Sequence, residues 1–82
     1  MKVKLLGYRV MSFKGENGEM VEGTKLFISY PMTGANEYGE EAEGKFVRKD
    51  SVPMPALIIG NPYLFSFNGK GKLISIDEIA GK

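Results

Sequence analysis

Eighty-two residues with no cysteine and no histidine leave no room for a second core, and they exclude disulfides, thiolate metal sites and imidazole proton chemistry. The formal charge of +1 averages unlike segments. Lys2, Lys4, Arg9 and Lys14 stand without an acid in residues 1–15 (+4), seven Glu face only Lys25 in 16–43 (−6), and six bases outnumber Asp50, Asp77 and Glu78 in 44–82 (+3).

A single domain over 1–82 is expected, and so small a core predicts a homodimer. The apolar run of "MKVKLLGYRV" is broken by Gly7 and Arg9, too early for a signal peptide or a span, so a soluble, cytoplasmic chain with no membrane partner is expected. Eleven Gly, four Pro and no helical apolar spacing predict short strands and turns. In Val3 to Phe13 the alternation changes phase at Leu5-Leu6-Gly7, which requires a bulge or sharp coil. "KGENGEMVEG" follows as a hairpin tip whose Asn17-Gly18 suits a type I′ turn, although its acidic flanks suggest a longer, protruding hairpin. "TKLFISY" places Leu26, Ile28 and Tyr30 on one face and Lys25, Phe27 and Ser29 on the other, and Pro31 ends it.

"MTGANEYGEEAEG" reads as a long polar loop, and "KFVRKDSV" as a third strand whose parity stays open, burying either Phe46 or Val47. The clump Leu57-Ile58-Ile59 is a short strand or a helical turn. "YLFSF", with Phe65 and Phe67 as core, is the fourth strand, "NGKG" a turn in which Asn68-Gly69 takes positive φ, and "KLISIDEI" the fifth, with Ile74 and Ile76 sharing a face. This pattern predicts an all-β fold, a five-stranded antiparallel Greek-key barrel of OB type, with an SH3-like barrel as the alternative.

No enzyme is expected. Glu37, Glu40, Glu41 and Glu43 lack the ligand alternation of an EF-hand, Asp77 and Glu78 point to opposite faces, and no Walker spacing surrounds "NGKGK". Neither cofactor nor metal is implied. Bases interleaved with aromatics carry the stronger signal, because a single strand needs cations along its phosphates and rings on which unpaired bases stack. Lys25 and Phe27 supply that pair on the second strand, and Lys45, Phe46, Arg48 and Lys49 supply candidates on the third. Arg9, Lys14, Lys70 and Lys72 extend the positive track, and Tyr38 is a lone aromatic in a polar loop. The acidic loop is expected to swing away from the basic strand.

The segments "EGTKLF", "GANEYG", "GNPYLFSF" and "GKLISIDEI" follow in an order that resembles the filamentous-phage gene V type of single-stranded-DNA-binding protein, a small dimeric OB-fold family with counterparts in plasmids and conjugative elements. The resemblance implies a sequence-tolerant single-stranded-DNA-binding protein acting in replication, with the binding aromatic at Phe27, its basic neighbour at Lys25, the loop tyrosine at Tyr38 and a further base at Lys45, Arg48 or Lys49. The hairpin "GENGEMVEG" is acidic where that family's is basic, and "GEEAEG" adds negative charge beside Tyr38, which fits acids facing away from the groove, limiting non-specific affinity or recruiting a replication protein. The competing expectation is a small β-barrel interaction module that binds a protein through its acidic segments or a sheet edge.

Overall fold

A computed structural model describes residues 1–79 and contains five strands: β1 (Lys2–Lys14), β2 (Met20–Pro31), β3 (Glu40–Arg48), β4 (Pro62–Phe67) and β5 (Leu73–Glu78). They form one antiparallel sheet in the order β3-β2-β1-β4-β5. Among the described residues there is no helix, and so none long and apolar enough to cross a membrane. The end strands β3 and β5 are not hydrogen-bonded to each other, so the sheet is curled but open. Lys45 of β3 nevertheless reaches over the Phe67 ring of β4, its Nζ 5.3 Å from the centroid.

The expected phase change in β1 is a register shift against β2 between Leu5 and Gly7. Before it, Val3 and Leu5 enter the core; after it, Tyr8 pairs with the buried Leu26 and takes the core side. The core joins these to Leu26 and Ile28 of β2, Val47 of β3, Tyr63 and Phe65 of β4, Ile76 of β5 and Val52 from the β3–β4 connector. Phe65 is fully buried and Phe67 packs against the cluster, as the sequence predicts.

Several boundaries depart from expectation. The polar loop spans only 32–39, because Glu40 to Gly44 pair with β2 from Pro31 back to Phe27 and belong to β3. At its other end β3 stops at Arg48 rather than running to Val52. The clump 57–59 is neither strand nor helix. Its backbone is held instead by Tyr63, whose hydroxyl accepts from Ile58 N (2.8 Å) and donates to Ala56 O (2.7 Å). Ile74 does not share a face with Ile76, since a second irregularity between Ser66 and Phe67 resets the phase, leaving Ile74 exposed while Leu73 packs on the core.

Both hairpin turns also differ. Asn17-Gly18 is not a type I′ pair, because only Gly18 has positive φ (82°), and at "NGKG" it is Gly71 (φ 81°), not Asn68 or Gly69, that does. The two tips are built alike. Gly18 N donates to Gly15 O and Gly15 N to Glu19 O; Gly71 N donates to Asn68 O and Asn68 N to Lys72 O. This is the three-residue loop that closes on a left-handed glycine. Asn68 Oδ1 adds a side-chain turn, accepting from Lys70 N and Lys72 N.

Candidate nucleic-acid interface

Residues directly opposite in an antiparallel pair share a face, so the register lays out the outer surface row by row. Gly7, Phe27 and Gly44 form one row, Arg9, Lys25 and Phe46 the next, Met11, Gly23 and Arg48 the third, and Phe13 with Val21 the last. Three aromatics and three cations therefore stand on one side of three strands. The bulge is the reason that Arg9 is among them: had β1 kept its first phase, Arg9 would fall on the side of Val3 and Leu5.

Phe27 has a glycine on each flanking strand, so no cross-strand side chain walls it in. Two cations approach its ring instead, Arg9 Cζ at 5.5 Å and Lys25 Nζ at 5.6 Å from the centroid. The Phe46 ring leans across Gly23, where an added Cβ would lie 2.6 Å from it, and meets Phe13 with centroids 5.8 Å apart at a tilt of 52°. It remains 38% exposed. Strand three thus has the parity that buries Val47 and presents Phe46 and Arg48. Lys72, just before β5, lines a cleft with Phe46 and Arg48.

The acidic run lies on the same strand as these bases, not on a loop swung away from them. Separation comes from side-chain alternation: Glu41 pairs with Tyr30 and Glu43 with Ile28, on the core side of the sheet. There they act on Tyr30, whose phenol is held above its ordinary value of 10.0 by partial burial, then by the charges of Glu41 and Glu43 and a hydrogen bond to Glu43. Glu40 falls on the outer face, but at its far end, where Ser29 Oγ donates to it at 2.8 Å. Glu37 is used within the loop, accepting from Gly34 N at 3.0 Å.

Of the ten candidate residues, the fold brings five together on this face: Arg9, Lys25, Phe27, Phe46 and Arg48. Lys14 and Lys45 have the opposite parity, Lys45 being engaged with Phe67. Lys49 lies just past β3 with its Nζ 3.8 Å from Glu22, which also has the opposite parity. Lys70 sits in the β4–β5 turn, and Tyr38 stands 86% exposed near the end of the 32–39 loop. Sequence reasoning missed Phe13, and it missed Lys2 and Lys4, which face outward because Val3 and Leu5 face in. The signal for Lys2 and Lys4 was their alternation with Val3 and Leu5, and the signal for Phe13 was the phase change at Gly7 carried through to the end of β1. No family model, curated protein or solved structure matches the chain.

Proposed function

We propose that this protein is a sequence-tolerant single-stranded-DNA-binding protein that acts in the replication of a phage, plasmid or other mobile element. The observation that carries the proposal is the outer face of β1, β2 and β3, where the half-buried Phe27 lies between two glycines under the movable head groups of Arg9 and Lys25, with Phe46 and Arg48 one strand away. An unpaired base stacks on a phenyl ring through its π-face whatever its identity, a contact worth about 1–3 kcal/mol per base. Arg9, Lys25 and Arg48 then neutralise the flanking phosphates, and Lys72 continues the track. Of the carboxylates on the same strand, Glu41 and Glu43 have the other parity, and Glu40 stands at the far end of the face, where Ser29 Oγ donates to it.

The strand order supports the OB-type barrel over the SH3-like alternative: a bent β1 shared between β2 and β4 leaves only β3 and β5 to meet for closure. The test is fluorescence anisotropy of labelled oligo-dT against wild type, Phe27→Ala and Lys25→Ala at low and moderate salt. Salt-sensitive binding is expected, weakened about 5- to 150-fold by Phe27→Ala, the equivalent of one lost stack. Absence of binding at low salt sinks the proposal and favours a protein partner for the acidic half of β3, whose outer edge has no strand beside it among the described residues.

A further inference from the structure

Lys2 and Lys4 lie on the outer face at the end of β1 where Arg9 does not reach. The bulge reconciles the two parities, placing even-numbered Lys2 and Lys4 and odd-numbered Arg9 on one side of one strand. Lys4 pairs with Ser29, which follows Phe27 on the same side of β2 and is itself buried, so the positions of Lys4 and Phe27 are about 7 Å apart along the strand. Beside them opens a cleft of about 480 Å³, lined by Lys2, Lys4, Ser29, Tyr30, Glu40 and Pro62 among others. Neither lysine is ion-paired among the described residues. The one carboxylate of the lining, Glu40, is held by Ser29 Oγ.

From this arrangement we infer a further nucleotide subsite: Lys2 and Lys4 bind phosphates of the strand one step beyond Phe27, and the cleft takes the attached sugar and base. It rests on the single-strand-binding reading above. The lining suits such a guest, because Tyr30, Pro31 and Pro62 provide apolar walls and the two ammonium groups provide the counter-charge at the rim. A protein that used only Phe27, Phe46 and their cations would occupy β1 from Gly7 onward. With this cleft the path covers the whole strand.

The experiment compares two variants of equal charge, Lys2→Gln with Lys4→Gln and Lys14→Gln with Lys49→Gln, the second pair lying off the proposed path. Binding of oligo-dT in a length series is followed across salt concentrations. The first variant is expected to flatten the dependence of log K on log salt by about 1.4, two phosphates at about 0.7 each, and to lose the affinity that wild type gains from the last nucleotide added; the second leaves both unchanged. Equal slopes in both variants and wild type, or equal losses in both variants, overturn the subsite. If binding in that case still depends on Phe27, the broader reading stands without the subsite; if wild type does not bind, both fall. Amide shifts at Lys4, Ser29 and Tyr30 on adding oligo-dT to wild type are the second measurement, independent of any variant's folding, and their absence also overturns it.

Discussion

A Cβ on Gly44 would meet Lys25 Cε at 2.6 Å, the far end of a flexible side chain, whereas one on Gly23 would run into the Val47 carbonyl and the Phe46 ring. The two substitutions should therefore separate. Gly44→Ala is expected to leave stability within about 0.5 kcal/mol while displacing Lys25 from the Phe27 ring and weakening oligo-dT binding several-fold. Gly23→Ala, with backbone in its way, is expected to cost about 1–3 kcal/mol in urea unfolding. Tyr30 offers a test in pH. Its folded-state value is raised, so its contribution is whole below about 10 and is lost as pH rises through the folded value. Tyr30→Phe should flatten the alkaline fall in stability relative to wild type; parallel urea midpoints from about pH 9 to 11 would contradict the contact with Glu41 and Glu43.

At the scale of elements, the two hairpins share one turn geometry and one test. Gly18 and Gly71 hold φ of 82° and 81°, a region costing an L-residue about 1–2 kcal/mol, whereas Asn17 and Gly69 do not. Gly18→Ala and Gly71→Ala are expected to lose about that much in urea unfolding, and Gly69→Ala markedly less. Equal costs at Gly69 and Gly71 would mean that the turn is of another type. The dipeptides Asn17-Gly18 and Asn68-Gly69 announced that chain reversals occur there. They did not announce which residue is left-handed, because that depends on how many residues each tip leaves unpaired, a property of the strand register. The β1 bulge was legible in the same way: the doubled Leu5-Leu6 and Gly7 marked it, while its consequence for Arg9, Met11 and Phe13 needed the pairing with β2.

For the whole molecule, the long β1–β2 ribbon runs past the core, and its core-side positions there stay uncovered: Val10 is 77% exposed, and Tyr8 and Met20 are also exposed. The homodimer expected of so small a chain would gain most by covering them. Val10→Lys is expected to shift sedimentation equilibrium toward monomer without changing the Phe27 face; a wild type that is monomeric at all concentrations contradicts the expected dimer. The charge pattern also resolves at this scale. Glu41 and Glu43 sit within a few residues of Phe46 and Arg48 along the chain yet belong to the other side of the sheet.

Alternation, glycine placement and composition, all local properties, determined by themselves that the chain is all-β, that β1 bends at Gly7, that Leu26 and Ile28 are core and that Lys25 and Phe27 face away from it. Only tertiary structure decided the parity of β3, since "EEAEGKFVRK" offers an apolar or charged residue in both phases and the choice falls to whether Val47 or Phe46 fits against Leu26, Tyr63 and Phe65. The meeting of Lys2, Lys4, Arg9, Lys25, Phe27, Phe46 and Arg48 on one surface was likewise set by cross-strand register, which joins residues far apart in sequence and leaves no mark within any one strand.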